Sequence, residues 1–185
     1  MVRSIGLDIG NDSVKLVMEG GRLSIPNIVA PGRPRNVLRE EDNILEALDV
    51  EVFSRSLTGG WKHYFVGELA VEDEDNMEMS EIENKVESQQ ALIVTLVTLA
   101  VSALSRSDSI TENPLIAEYA IGTGLPIRQF ARYQEALIQR LEGEHEVKFI
   151  STPRYRGRTV RVIIKKVMVG IEGASAVLNI ATHDD

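Results

Sequence analysis

The chain has no cysteine among its 185 residues, which excludes disulfide staples, thiolate metal sites and cysteine nucleophiles. A reducing compartment is compatible with that absence. Positive charge is also scarce: 20 Lys and Arg stand against 28 Asp and Glu, a formal net charge of -8. Such a balance argues against a nucleic-acid grip as the main role. Aromatic residues make up 5%, leaving little to interleave with bases. Arg154-Tyr155-Arg156-Gly157-Arg158, with Lys165 and Lys166, is the one basic cluster, and a contact with a neighbouring subunit suits it at least as well as nucleic acid. Long apolar runs are missing too. The most apolar stretch, Ala91 to Leu104, is too short to span a bilayer and carries Thr95, Thr98 and Ser102. It reads as a buried helix. The N-terminus enters a strand almost at once, so the expectation is a cytoplasmic protein that uses neither a signal peptide nor a membrane.

What the chain does have is a self-consistent hairpin near its start. Ile5, Leu7 and Ile9 alternate onto one face of a strand, and Val14, Leu16 and Met18 onto one face of the next. Closing the turn at Asn11-Asp12 pairs Ile9 with Val14, Asp8 with Lys15 and Leu7 with Leu16, which sets apolar against apolar and acid against base. The opposite face carries Gly6, Asp8 and Gly10. Two glycines beside one carboxylate leave bare backbone that a bulky group can approach. A turn of small polar residues directs backbone N–H groups one way and makes an anion nest. Nest, carboxylate and ammonium together suit a polyphosphate with its magnesium. A plain surface hairpin with a cross-strand Asp–Lys pair accounts for the same residues, because a short Asp-x-Gly motif is common.

The segment Gly6-Leu7-Asp8-Ile9-Gly10-Asn11-Asp12-Ser13-Val14-Lys15 resembles the first phosphate-binding loop of the actin superfamily. Within it, the segment is most similar to ParM-type prokaryotic actin-like ATPases that segregate plasmids. The resemblance implies an α/β fold, the actin-like ATPase domain I: a ribonuclease H-like mixed five-stranded sheet flanked by helices. It also implies a small inserted subdomain at 35–87, within a domain spanning 1–185. ATP and Mg²⁺ are the implied cofactors. Gly10, Asn11, Asp12 and Lys15 would hold phosphates, and Asp8 would hold the metal through water. Asp12 departs from the small or hydroxyl residue often found in this loop, so its carboxylate must point away or meet the metal.

The rest of the chain extends the resemblance. Gly20-Gly21 offers a second hairpin turn, and Ile25-Pro26-Asn27-Ile28-Val29 is similar to the segment by which these proteins leave the first sheet. Val50 to Ser56 and Trp61 to Gly67 read as a hairpin around Gly59-Gly60, with Trp61, Tyr64 and Phe65 as packing residues. His63 has no second ligand at metal spacing and reads as structural. Glu68 to Glu87 is strongly acidic and reads as a solvated loop. Ser88 to Leu104 is a helix apolar nearly all round. Leu115 to Gly122 reads as a central parallel strand, with Gly122 and Gly124 at a strand-to-helix turn needing unusual backbone angles. A helix over Ile127 to Leu141 follows, then strands over Glu146 to Ser151 and Thr159 to Val169.

Met168 to Ala176 leaves a strand and opens a helix. It resembles the place where actin-like ATPases hold the group that positions the attacking water, and Glu172 falls there as the implied catalytic residue. A first-turn Glu favoured by the helix dipole is the simpler reading of that residue. By the same resemblance the sequence ends near where a second nucleotide-binding domain would begin, so the chain is expected to be the first half of a longer protein. The implied partners are further copies of itself in a filament and a DNA-bound adaptor, without direct nucleic-acid contact. A sugar or acetate kinase of the same fold and a non-enzymatic adaptor are the alternatives.

Overall fold

The computed structural model of the chain describes residues 1–35, 43–57, 59–78, 84–107 and 111–172. The opening hairpin forms in the register that alternation requires: β1 (Val2–Ile9) and β2 (Ser13–Met18) pair Ile9 with Val14, Asp8 with Lys15 and Leu7 with Leu16. Gly20, at φ 77°, then turns the chain into β3 (Gly21–Pro26). β4 (Ile28–Pro31) leaves that meander. β5 (Leu48–Ser54) and β6 (Lys62–Val66) form the hairpin expected around the glycine pair, and a short α1 (Glu68–Val71) and β7 (Met77–Glu78) complete this part.

The long helix α2 (Gln89–Ser105) begins where Ser88 caps it, its Oγ accepting the Ala91 N–H at 3.2 Å. Every side chain from Gln90 to Leu104 is buried, as its apolar circumference demands. β8 (Leu115–Leu125), α3 (Ile127–Leu141), β9 (Gly143–Phe149) and β10 (Thr159–Ile171) follow. Only Leu137 and Leu141 of α3 are fully buried, so that helix is the amphipathic one.

Among the described residues the strands make one sheet in the order β3-β2-β1-β8-β10-β9-β5-β6-β4-β7. β1, β8 and β10 run parallel and the remaining pairs are antiparallel. The expected five-stranded mixed sheet is the β3-β2-β1-β8-β10 half. It does not stop there, because β9 carries hydrogen bonding on to β5 and the strands beyond it. Both long helices lie on one face. Tyr119 on β8 donates its hydroxyl to the Leu99 carbonyl of α2 at 2.8 Å, and His145 on β9 bonds the Leu141 carbonyl of α3 at 2.8 Å. Between helices and sheet sits the core, including Ile5, Leu7, Ile9, Val14, Leu16, Ile121 and Leu125.

Three expectations need correction. Gly122 and Gly124 are not at a turn: β8 runs straight through both to Leu125, and neither has left-handed backbone. The acidic stretch is not wholly solvated either, since Asp73 is buried and pairs with Arg33 at 2.6 Å. Glu81 and Glu83 of that stretch lie outside the described residues. Finally, Trp61 is exposed and leans on Phe53 at the surface, whereas Tyr64 and Phe65 are buried as packing residues.

Candidate functional site

A parallel arrangement puts the carboxyl ends of β1, β8 and β10 on one edge of the sheet, and that edge is where open α/β sheets bind ligands. The turn Gly10-Asn11-Asp12 leaves β1 there. Glu172 leaves β10 there, its N–H donating to the Leu125 carbonyl at 2.9 Å. Leu125 ends β8 between them, paired with Ile171. Two stretches far apart in the sequence are thereby set on either side of a single strand.

Asp8 is on the face turned away from the helices, and its carboxylate is 61% exposed. Lys15 stands opposite on β2, its Nζ 3.9 Å from Asp8 Oδ2 and 59% exposed. Neither charge is buried by the other, so this pair contributes little to stability. Both remain available to a third party.

The floor beside Asp8 is bare backbone. Gly6 pairs with Gly122, and Gly124 with Gly170. At Gly124 the lack of a side chain has a visible use, because a Cβ there would lie 3.0 Å from Glu172 Cγ. Glu172 thus folds over Gly124 on the same face as Asp8.

The turn itself is held from behind. Gly10 N–H donates to the Ser13 carbonyl at 3.0 Å, and a Cβ on Gly10 would sit 3.0 Å from that same oxygen. Asn27 is fully buried. Its Nδ2 donates to the Gly10 carbonyl at 2.9 Å and its backbone N–H to the Asp12 carbonyl at 2.9 Å. Gln90, in the first turn of α2, donates in turn to the Asn27 carbonyl. With two carbonyls drawn inward, the N–H groups of Asn11 and Asp12 are committed to no backbone acceptor among the described residues. Neither residue has positive φ, so this is not the primed turn common in two-residue hairpins.

Glu172 forms an ion pair with Lys85, whose side chain is only 9% exposed while the Glu172 carboxylate is 42% exposed. Lys85 also shares a small cavity with Ile9 at the end of β1, which places it beside the turn. The helix expected after Glu172 lies outside the described residues. Lys85, Asn27 and Gln90 were not legible as site residues. Lys85 left one signal, as the single base in an acidic stretch.

The remaining candidates fall elsewhere. His63 pairs with the buried Asp49 at 2.5 Å, and Ser151 donates to the other Asp49 oxygen, so it is a structural histidine. The basic cluster is partly neutralised: Lys165 pairs with Glu118 at 3.2 Å.

A family model described as "Actin like proteins N terminal domain" matches residues 6–174. The chain belongs to this actin-like family. Solved structures agree with it. Bacillus thuringiensis ParM in apo form is 26% identical with a TM-score of 0.76, covering 97% of this chain and 48% of that one. The same protein with ATP is 28% identical with a TM-score of 0.75, over 97% of this chain and 47% of that one. A 15-stranded ParM filament from Clostridium botulinum is 24% identical with a TM-score of 0.75, covering 99% and 51%; at that identity the likeness is one of fold alone. No curated protein matches the sequence. This actin-like domain therefore spans about half the length of the solved relatives it matches.

Whether its residues suit a nucleotide and magnesium is a question of donors. Among the described residues no three His, Cys, Asp or Glu side chains gather as a metal site. Mg²⁺ needs no such cage, because it keeps much of its water and is bound through one or two carboxylates plus substrate phosphates. One exposed carboxylate on bare backbone, beside uncommitted N–H groups and an ammonium, fits that requirement.

Proposed function

We propose that this domain binds the triphosphate of ATP with Mg²⁺ and works within a filament-forming actin-like ATPase that segregates plasmids or other DNA through an adaptor. One observation carries the reading: Asp8 and Glu172, 164 positions apart in sequence by their numbers, lie on one sheet face at one edge, with Gly6, Gly122, Gly124 and Gly170 leaving bare backbone on that face. A fold needing only a hairpin and a helix cap has no use for that convergence. The bound ATP of a relative, Bacillus thuringiensis ParM, supports the ligand class.

Each residue then has a task. The N–H groups of Asn11 and Asp12 take phosphate oxygens, and Gly10 lets them approach. Lys15 reaches the outer phosphates as a mobile cation. Asp8 would hold the magnesium through its water shell. Magnesium, when bound, neutralises charge developing on the transferred phosphoryl group. Glu172 orients a water in line with the terminal phosphate and takes up its proton. Lys85 keeps the Glu172 side chain at the edge through their ion pair. The adenosine wall belongs, on this proposal, to a second domain like that making up the other half of the relatives' length, and 35–87 acts as the inserted small subdomain.

The test uses the full-length protein, with light scattering and phosphate release followed together after ATP addition. We expect scattering to rise with ATP and phosphate to follow. Glu172→Gln should retain the scattering rise and lower phosphate release by at least tenfold. Release without scattering would favour a kinase or simple hydrolase, and scattering without release an adaptor. Either outcome removes the proposal.

A further inference from the structure

At the end of the first meander remote from the phosphate turn, a cavity of about 370 Å³ opens between β2, β3, the C-terminal end of α2 and the turn after β9. Its size is at the small end of the roughly 300–1,000 Å³ typical of small-molecule sites. Leu16, Leu23, Val101 and Tyr155 supply apolar walls. The serine hydroxyls at its lining are already engaged, Ser102 with Met18 Sδ and Ser105 with the Ser102 carbonyl.

The charge is what sets it apart. In a chain of net charge -8, three guanidinium groups, Arg22, Arg106 and Arg154, line this cavity, and no Asp or Glu does. None of the three pairs with a carboxylate among the described residues. Arg106 is aimed by a bond from its Nη1 to the Glu19 carbonyl at 2.9 Å.

Arg154 adds an independent mark. It is the only non-glycine residue among those described with left-handed backbone, at φ 62°. Holding a long side chain in that region is strained, and such residues concentrate at ligand sites. Glycine would fit there without strain. An arginine stands there, one of the three that line the cavity.

We infer that this cavity is a binding site for a small amphiphilic carboxylate, an apolar body with one anionic head. The apolar walls take the body. The guanidinium forks take the carboxylate, which matches their planar paired donors better than a point charge would. The inference does not rest on the nucleotide reading, because the cavity shares no residue with the phosphate turn or Glu172.

Sodium decanoate, kept below its micelle concentration, is the probe. Titrated into the isotope-labelled chain, it should give saturable amide shifts at Leu23, Ser102 and Tyr155. Its affinity should exceed that of decanol, the uncharged match, by at least tenfold, and decyltrimethylammonium should not bind. The double variant Arg22→Gln, Arg154→Gly should weaken decanoate at least tenfold. Because Arg154→Gly relieves left-handed backbone, its melting temperature should equal or exceed that of the parent, which separates lost binding from lost folding. Equal affinity for decanol, unchanged affinity in the double variant, or shifts confined to another region would each overturn the assignment.

Discussion

Asn27 does for the Gly10-Asn11-Asp12 turn what the turn cannot do for itself. Buried, it satisfies the carbonyls of Gly10 and Asp12 from below and leaves the N–H groups of the turn facing outward. A buried acceptor left without its donor costs about 1–3 kcal/mol. We therefore expect Asn27→Leu to lower unfolding free energy by about that much in urea. The backbone bond at residue 27 should survive, so the loss should stay below that of a disrupted strand. A variant as stable as the parent would show that the Asn27 amide does not hold the turn. At this scale the sequence was informative only where side-chain chemistry is periodic. Alternation set the Asp8–Lys15 pairing and the bare Gly6 face, because strand period and hairpin register leave one solution. Asn27 and Lys85 were hidden, since their roles depend on which carbonyl or carboxylate the fold brings to them.

Elements are tied across the sheet by buried polar links more than by their own propensities. His145 on β9 is an example. Its Nε2 donates to the Leu141 carbonyl at the end of α3, and its Nδ1 accepts from the Ser54 hydroxyl on β5 at 2.8 Å. Full burial pushes its pKa below the ordinary 6.5, outweighing the Leu141 bond that raises it. The sign follows from which state takes the proton. Below about pH 6.5 the unfolded chain is protonated first while the folded ring stays neutral. Stability should fall as pH drops through that value, and go on falling until the lower folded-state pKa is passed. Urea melts from pH 7.5 to 5 should show this slope, and His145→Gln should flatten it relative to the parent. An identical slope in the variant would assign the effect to another group. The elements themselves were largely legible: α3 spans the residues its pattern marks, and α2 begins at its Ser88 cap. The glycines of β8 misled because glycine at a strand's end and glycine needed for close approach look alike in sequence. What distinguishes Gly124 is Glu172, which follows forty-odd residues later.

For the whole molecule, the sheet's continuity is the fact that sequence patterning did not reach. β9 pairs with β10 on one side and β5 on the other, joining the later hairpin to the first meander. No local pattern encodes that partner. The ligand edge, by contrast, is open on the side of Asp8, whose carboxylate is mostly exposed. On the proposed function, a site of this shape would gather phosphates by hydrogen bonds and charge but enclose little of a base, and most affinity for small ligands comes from burial in a cleft. We expect isothermal titration of ATP–Mg²⁺ into this chain to show binding far weaker than micromolar and negligible phosphate release. Micromolar binding would mean that one wall suffices.

The bridging role of β8 carries a last consequence, for the order in which the molecule becomes competent. The turn after β1 and the carboxylate after β10 become neighbours only through Leu125, so two long crossovers must close before they meet. Contacts of such sequence separation form late and slowly. Occupancy of the edge would then gauge complete assembly, silent in any chain whose final parallel strand has yet to dock.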